Sequence, residues 1–466
     1  MQKSRVRRIG ALLAGLAIVA ASCGDDKKDS SSDTTVAPTT VVSDTTAAVD
    51  TTVADTVGDT TPAAGGNELA GMKGTTPLVE LSQDFKDRLA TTPSGAALKD
   101  YNYAGETYDA IVTIALAAVE AKTDGSAMAD HIVGITKDGE KCTDFAACVK
   151  IIDAGGDPDY DGFSGPITMN GNGEPLEASY GVLVFGEGNL LDDSLTTYIT
   201  ATAPASAAKP LQTTDVPRDG DGVLAFGGLL PETGSLAFLG APEFAGAELA
   251  IADINAAGGV LGKDVTWSPG DSGDTSTDIA SQTADRLLGE GVDAIIGAAS
   301  SSVSLTVIDK ITAAGVVQYS PANTSLKLVD YPDHALYFRD APPDDLQGNV
   351  IAQLVIDDGN QSAYILALDD AYGTSLAEVV GAGLTAAGVE VLGTKIYNPA
   401  PETVFDSDID EIVAADPDAI ILITFDEGSR ILKTMVEKGI GPADKMVYGC
   451  DGNMGNALGE NFNAGK

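Results

Sequence analysis

The chain has 466 residues and carries 69 acidic against 27 basic side chains, a formal net charge of −42 at pH 7. Such a field repels phosphate backbones and anionic headgroups, so nucleic acid is not an expected partner. Hydrophobic residues make up 44% of the chain, which is too many for disorder throughout, and the length allows about two or three domains. The composition is that of a folded, Ala-, Gly- and Val-rich α/β protein.

The N-terminus has the pattern of a secretory signal. Basic side chains within residues 3–8 precede an apolar run over 9–21 that is too short to span a bilayer. The run ends in Ala20-Ala21-Ser22-Cys23, and small residues directly before a cysteine resemble a bacterial lipobox. We predict a lipoprotein signal peptide over residues 1–23 with Cys23 as the lipidated residue. The alternative is an ordinary cleaved signal with a chance cysteine.

A low-complexity segment, residues 24–66, follows. It consists almost entirely of Asp, Thr, Ser, Ala and Val and contains no aromatic residue. This composition cannot bury enough apolar surface to offset its chain entropy. We therefore predict a disordered tether that lifts a domain off a membrane.

The next block, residues 67–200, mixes helical and strand patterns and is not expected to fold alone. A Pro/Ala/Thr/Asp-rich linker over 201–222 joins it to the rest of the chain. Helices are predicted near 83–90, 104–121 and 144–152, and strands near 69–75, 181–185 and 196–200.

From Val223 onward, buried-strand runs alternate with helical periodicity. Residues 243–256 place Phe244, Ala247 and Ile251 on one stripe of a helix that ends at a pair of glycines. The βαβα order is typical of a parallel sheet covered on both faces, so the predicted fold class is α/β. Strands are predicted over 224–230, 265–267, 294–297, 316–319, 363–368, 389–396, 419–423 and 446–448.

With only four cysteines and two histidines, the chain can form few disulfide bonds and few metal sites. In an exported protein, neighbouring Cys142 and Cys148 are more typical of a disulfide than of a metal or redox site, and Cys450 is left unpaired. His131 and His334 are far apart in sequence, with no ligands at zinc spacing.

Signatures of catalysis and of calcium binding are incomplete. Residues 157–162 imitate the start of a calcium loop, but Thr168 stands where the bidentate Glu is needed, so we interpret them as a turn before a strand. The chain contains no HExxH, GxSxG or phosphate-loop motif. We predict a protein that is not an enzyme, with no catalytic residue, no metal and no cofactor.

Two sets of motifs resemble one family. The runs FLGAPEFAGAELAIADINAAGGVLGKDV, GDSGD, IIGAASSSVS, YSPANTS, FRDAPPDDLQG and DDAYGTSL resemble the N-terminal two-thirds of type I periplasmic solute-binding proteins of the Leu/Ile/Val-binding class, over 223–466. GMKGTTP, NYAGETYDAIVTIALAA, the cysteine pair and DYDGFSGPITMNGNGE resemble the C-terminal third of the same family, over 67–200.

The order of these two parts is inverted relative to the family. We therefore predict a circular permutant, with the native termini joined through 201–222 and new ends at about Asn67 and Lys466; a truncated tandem pair is the rival. The resemblance implies two Rossmann-like lobes with parallel sheets and a ligand cleft between them. Residues 223–339 are expected mainly in lobe 1 and 340–454 mainly in lobe 2, with hinges near 339–343, near 450–455 and at about Glu68.

The resemblance also assigns ligand contacts in lobe 1. Ser301 follows a strand at the start of a helix, where hydroxyl and free N–H groups bind a carboxylate without a cation. The alternative is that these serines only cap the helix. Thr324 is expected to donate its hydroxyl and Ala322 to offer its backbone, although the same run is compatible with a simple corner around Pro321.

In lobe 2, the resemblance places Asp451 against the ammonium group of a ligand. The alternative is that Asp451 is an ordinary turn residue before a glycine. Tyr372, Phe238 and Phe425 resemble the aromatic walls of the cleft, and each is equally compatible with a core position.

The expected function is that of a lipid-anchored, extracytoplasmic receptor of an ABC importer. It would bind an amino acid, branched-chain or similar, and hand it to a membrane permease as a monomer that touches the membrane only through its lipid. Relatives with this fold also bind amides, urea or small aromatic acids. The alternatives are a sensory ligand-binding receptor and an inert truncated or permuted surface lipoprotein.

Overall fold

The computed structural model describes residues 66–204, 207–400 and 403–465. The predicted signal peptide, the lipidation site at Cys23 and the tether up to residue 65 lie outside the described residues.

Lobe 1 is built on a five-stranded sheet in which every pair is parallel, in the order β10-β9-β8-β6-β7. Four of these strands lie within one residue of the prediction, and β10 is a three-residue strand that the sequence pattern did not predict. The strands are β6 (Ala225–Leu229), β7 (Thr266–Ser268), β8 (Ala294–Gly297), β9 (Val317–Ser320) and β10 (Tyr337–Arg339).

Helices cover both faces of this sheet, which explains its continuous apolar strands. In β8, Ala294 and Ile296 pack into a cluster with α2 and α5, whereas Ile295 packs with α6 and α7 on the other face. The helices of this lobe are α1 (Gln83–Leu89), α2 (Ala104–Ala121), α3 (Ala129–Ile135), α4 (Phe145–Asp153), α5 (Ala237–Ala256), α6 (Ile279–Glu290) and α7 (Ser301–Ala313).

Lobe 2 has a seven-stranded sheet in the order β12-β11-β13-β14-β1-β4-β5. Its strands are β1 (Lys73–Pro77), β4 (Glu177–Val184), β5 (Thr197–Thr202), β11 (Ser362–Leu368), β12 (Glu390–Tyr397), β13 (Ala419–Ile423) and β14 (Met446–Gly449). Its helices are α8 (Asp344–Asp357), α9 (Ala371–Ala386), α10 (Asp406–Ala415), α11 (Gly428–Glu437) and α12 (Asn456–Ala464).

Strand β1 joins the two parts of the chain within this sheet. It pairs in parallel with β14, with Lys73 opposite Tyr448, and antiparallel with β4. Strand β5 is also antiparallel to β4. The β1–β4 and β4–β5 pairs thus form an antiparallel edge on an otherwise parallel sheet, and β5 follows β4 without the helical crossover that a parallel neighbour requires.

Helix α5 differs from its prediction. It begins at Ala237 instead of Glu243, with Pro242 inside it, and it buries side chains around most of its circumference because α2 covers the side that was expected to face water. Gly246 lies where the two helices are closest, since a Cβ at this position would overlap the carbonyl oxygen of Ala104.

The small segment of lobe 1 that follows α3 is closed by a disulfide. Strand β2 (Glu140–Cys142) pairs with β3 (Pro158–Tyr160), and Cys142 bonds to Cys148 of α4 with a Cα–Cα distance of 5.4 Å. Cys450 is free and buried.

Within the described ranges, the chain passes between the lobes in the segments 78–82 and 161–176, between the end of β5 and the start of β6, and in the segment 340–343. The expected hinge near 339–343 coincides with the last of these. The hinges expected near 450–455 and Glu68 are wrong, because these segments connect β14 to α12 and lead into β1, which all belong to lobe 2.

The linker is held against lobe 1 over residues 207–222. The Arg218 amide donates to Ser126 Oγ at 2.9 Å, and the Arg218 guanidinium pairs with the buried Asp293 at 2.6 Å. The Thr214 amide donates to Asp130 at 2.8 Å. Among the described residues, no helix is both long enough and apolar enough to cross a membrane.

Candidate functional site

A cavity lies between the lobes at the carboxyl ends of β8, β9 and β14, and we call it the interlobe cavity. Ligands bind at this edge of open α/β sheets because the loops after successive strands converge there. The volume of the cavity is about 20 Å³. Its lining residues are Tyr103, Leu236, Leu239, Ala299, Ser300, Ser301, Ala322, Thr324, Tyr372, Phe425, Asp451 and Gly452.

The first polar wall is the N-terminus of α7. Ser300 is the residue that caps the helix, since its Oγ accepts from the Val303 amide, and this leaves Ser301 inside the cavity. Ser301 is buried, and its Oγ accepts from the Ser325 amide at 3.3 Å. The capping role therefore falls on Ser300, while the neighbouring Ser301 lines the cavity.

The loop after β9, residues 320–325, forms the second polar wall. Ser320 Oγ donates to the carbonyl oxygen of Ala298 at 2.7 Å, and the Asn323 amide group donates to the same oxygen at 2.9 Å, which fastens this loop to the end of β8. Thr324 Oγ1 is buried against the cavity with no hydrogen-bond partner among the described residues. Because an unsatisfied buried hydroxyl is costly, it marks a place where a ligand atom would bind.

Asp451 faces these groups from lobe 2. Its carboxylate accepts from Tyr103 Oη at 2.7 Å and from Tyr372 Oη at 2.8 Å. Burial raises the pKa of Asp451, and the two phenol hydrogen bonds oppose that rise by stabilising the ionised form. The site thus presents a buried carboxyl group that two phenol hydroxyls hold in place.

Tyr103 was not predicted from the sequence. It directly precedes α2 with a left-handed backbone (φ 62°), and the block over 67–200 contributes it to a cavity whose other polar residues follow residue 223. The signal was its position at the start of a long apolar helix within a motif already noted. Only the packing of the two parts of the chain shows that it reaches Asp451.

The apolar walls include two of the three predicted aromatic residues. Tyr372 and Phe425 stack with ring centroids 5.5 Å apart and planes 10° apart. Phe238 lies outside the interlobe cavity, in a smaller hollow that it shares with Phe425, and Leu236 and Leu239 line the cavity on that side.

The rims of the two lobes are in contact. Ser302 Oγ accepts from the Ala371 amide at 2.8 Å, and Ser325 Oγ donates to the carbonyl of Ala371 at 2.6 Å. A groove of about 610 Å³ adjoins the cavity and shares Leu236, Ser300 and Phe425 with it. A ligand in the cavity is therefore enclosed by both lobes.

The acidic residues of the calcium-like run are paired with a cation from the chain. Lys141 Nζ lies 3.1 Å from Asp159 and 2.8 Å from Asp161. Within the described ranges, no group of three or more His, Cys, Asp or Glu side chains is placed to hold a metal ion.

This arrangement of two α/β lobes around an enclosed polar cavity defines the class of solute-binding proteins. The family model described as periplasmic binding protein matches residues 224–463. The chain therefore belongs to the periplasmic binding protein family, of the type I, Leu/Ile/Val-binding kind, and the predicted family and α/β fold class are confirmed.

Individual curated relatives are similar to part of the chain. The Leu/Ile/Val-binding protein BraC3 of Rhizobium johnstonii is 30% identical over 207 residues, which are 43% of this chain and 52% of the relative. The chemotactic signal transduction system substrate-binding protein BasB of Halobacterium salinarum is 31% identical over 209 residues, 42% of this chain and 49% of the relative. The chain spans about half the length of these two curated relatives.

Among solved structures, the branched-chain amino acid transporter substrate-binding protein LivJ of Streptococcus pneumoniae, in complex with isoleucine, is 26% identical. The match covers 52% of this chain and 67% of that protein, with a TM-score of 0.46.

Proposed function

We propose that this protein is the substrate-binding protein of an ABC importer and that it binds a small amino acid, branched-chain or similar, in the interlobe cavity. The observation that carries the proposal is the buried carboxylate of Asp451, which faces the hydroxyl groups of Ser301 and Thr324 across an apolar space. An α-amino acid carries the complementary charges, a cation and an anion on one carbon atom.

Each pole of the ligand has a matching partner. The ammonium group binds Asp451, where a charge-assisted hydrogen bond is strong because water is excluded. The carboxylate group binds the Ser301 hydroxyl and the free N–H groups at the start of α7, and Thr324 donates its otherwise unpartnered hydroxyl. Leu236, Leu239 and the Phe425 ring supply apolar surface for the side chain of the ligand.

Closure of the lobes couples ligand binding to recognition of the protein by its permease. Asp451 belongs to lobe 2 and Ser301 to lobe 1, so a ligand contacts both only when the lobes are together. The ligand therefore shifts an open-to-closed equilibrium by its differential affinity for the closed form. A permease that binds the closed form would receive only loaded protein.

The remaining predictions belong to the same proposal. We place the protein outside the cytoplasm, attached to the cell membrane through lipid on Cys23, as a monomer that delivers its ligand to a permease. The names of the curated relatives support an amino acid as ligand.

We also propose that the chain is a circular permutant in which residues 67–200 complete the region that matches the family. Support comes from β1, which lies between β14 and β4, and from α2, which packs on α5. Asn189 Nδ2 bridges Glu68 and Asn463 at 2.9 and 2.8 Å, so the proposed new ends lie close together.

Thermal unfolding against a panel of amino acids, amides, urea and small aromatic acids tests the ligand. A ligand at 100 times its Kd stabilises the folded state by about 2.7 kcal/mol. We expect a shift with one class of compound that is lost in Ser301→Ala and in Asp451→Asn. Ser268→Ala on β7, outside the cavity, is the matched control and keeps the shift. If no compound in the panel shifts the transition, the proposed ligand is wrong.

A sensory role is the second candidate, because BasB belongs to a chemotactic signal transduction system. Uptake of the radiolabelled ligand by intact cells separates the two roles. Loss of uptake when the gene is deleted supports the importer, whereas unchanged uptake with a lost behavioural response supports the sensor. An inert lipoprotein would change neither.

A further inference from the structure

A fully buried arginine lies behind the ligand loop. Arg339 ends β10 and is 0% exposed, and its Nη1 donates to the carbonyl oxygens of Asn323 and Ser325 at 3.3 and 3.0 Å. These two carbonyl groups flank Thr324 in the sequence. One guanidinium thus fixes the backbone on both sides of the residue whose free hydroxyl faces the cavity.

The charge of Arg339 is balanced from another part of the chain. Arg339 Nη2 pairs with Glu174, which lies in the 161–176 connection between the lobes and is 5% exposed. The Arg339 amide also donates to the carbonyl of Gly173 at 3.1 Å. Glu174 itself is held by Asn170, whose Nδ2 donates to Glu174 Oε2 at 3.3 Å.

The pair therefore joins the 161–176 connection and the end of β10, directly before the 340–343 connection, to the ligand loop. A buried guanidinium without a counter-ion is strongly destabilising, so Glu174 keeps the charge in place, while the planar fork of Arg339 reaches both carbonyl oxygens and the carboxylate at once. A lysine, which has a single charged centre, cannot reproduce this geometry.

We propose that Arg339 is a positioning residue for ligand binding, which sets the conformation of residues 320–325, and that Glu174 serves only to neutralise it. This inference rests on the proposed function for its ligand readout. It differs from a purely structural ion pair in one respect: removal of both charges restores stability without restoring the loop.

Four variants separate the two roles. Arg339→Met leaves Glu174 unpaired and Glu174→Gln leaves Arg339 unpaired, so both lose stability. The double variant Arg339→Met/Glu174→Gln contains neither buried charge and regains most of the lost stability. Arg339→Lys keeps the ion pair, so it remains folded even if the methionine variants do not.

Hydrogen exchange of a peptide spanning 320–325 gives a readout without ligand. We expect faster exchange in Arg339→Met, in the double variant and in Arg339→Lys, and exchange close to that of the wild type in Glu174→Gln, which retains both carbonyl contacts. If exchange in this peptide follows global stability across the four variants, the positioning role is refuted.

Titration with L-leucine, L-isoleucine and L-valine gives the second readout. We expect the dissociation constant to rise about tenfold or more in the double variant and in Arg339→Lys, since each loses a hydrogen bond from a charged donor. Arg218→Met, which breaks an ion pair remote from the cavity, is the control that lowers stability and leaves affinity unchanged. If the wild type binds none of the three, the ligand class is wrong, and hydrogen exchange alone decides the role of Arg339.

Discussion

Glu106 should make the stability of this protein fall as the pH rises. It lies in the first turn of α2, is 6% exposed, and faces other buried acids: Asp109 on the same helix, Glu243 on α5 and Asp340 in the connection after β10. Both carboxylate oxygens of Glu243 and of Asp340 have no hydrogen-bond partner among the described residues.

The magnitude follows from the pKa of Glu106. Burial raises it from 4.5 to about 8, and the charge of Asp109 adds to the rise. The folded state thus holds a proton that the unfolded state has released. Stability from this group is greatest below the unfolded pKa and is lost as the pH increases towards the folded pKa, at ~1.36 kcal/mol per pH unit. Between about pH 5 and pH 8 the free energy of unfolding should fall by about 4 kcal/mol.

Urea unfolding at a series of pH values measures this effect directly. The glutamine in Glu106→Gln cannot ionise. In this variant, the fall in the free energy of unfolding between about pH 5 and pH 8 should therefore be smaller by most of that 4 kcal/mol. Glu378→Gln, an exposed position on α9, is the control and should leave the wild-type slope. If Glu106→Gln and the wild type lose stability in parallel, Glu106 is ionised in the folded state at neutral pH, and the argument from burial is wrong.

Three further perturbations have defined outcomes. Gly246→Ala should lower the free energy of unfolding by about 3 kcal/mol, as an overpacked helix contact does, and its effect should appear in a single cooperative urea transition. Cys148→Ser opens a short loop and should cost about 2 kcal/mol in the same assay. Ser302→Ala removes the acceptor of the Ala371 amide at the rim and should weaken ligand binding several-fold, measured by titration calorimetry, since one hydrogen bond contributes about 1 kcal/mol.

Each of these has a control or a contrary result. Gly289→Ala in α6 meets no atom within 4 Å, so it should be neutral or stabilising. Two separate transitions in Gly246→Ala would mean that the parts of the chain before and after the linker fold independently. A reducing agent should leave Cys148→Ser unchanged while it destabilises the wild type. Unchanged affinity in Ser302→Ala would show that rim contacts do not favour closure.

Strands with continuous apolar runs were predictable from the sequence, because both faces of each sheet are covered and the pattern is local. This applies to β8 and β13, whose predicted bounds agree with the structure. The start of α5 was not predictable in the same way. The apolar stripe began at residue 244, and whether the outer face of α5 meets water depends on α2, which precedes it by more than a hundred residues.

The interlobe cavity shows the same contrast between local patterns, which could be predicted, and long-range contacts, which could not. Ser301, Thr324 and Asp451 each follow a predicted strand, so their positions at the carboxyl edges of the two sheets could be expected, and the structure brings them to one cavity. Tyr103 and Arg339 depend on contacts between distant parts of the chain. A sequence pattern gives no measure of such contacts, and it gave no reason to prefer Leu236 over Phe238 as a wall.

The position of β1 has a consequence for biosynthesis. This strand leaves the ribosome long before its parallel partner β14, because lobe 1 and most of lobe 2 lie between the two strands in the chain. The lobe 2 sheet therefore cannot close before β14 has been made, and until then β1 exposes an unpaired edge, which is a known route to aggregation. Lobe 1 is delayed in the same way, because α2 packs on α5, which is translated later. A chain with this order depends more on holding chaperones than one in which each lobe is completed as it emerges.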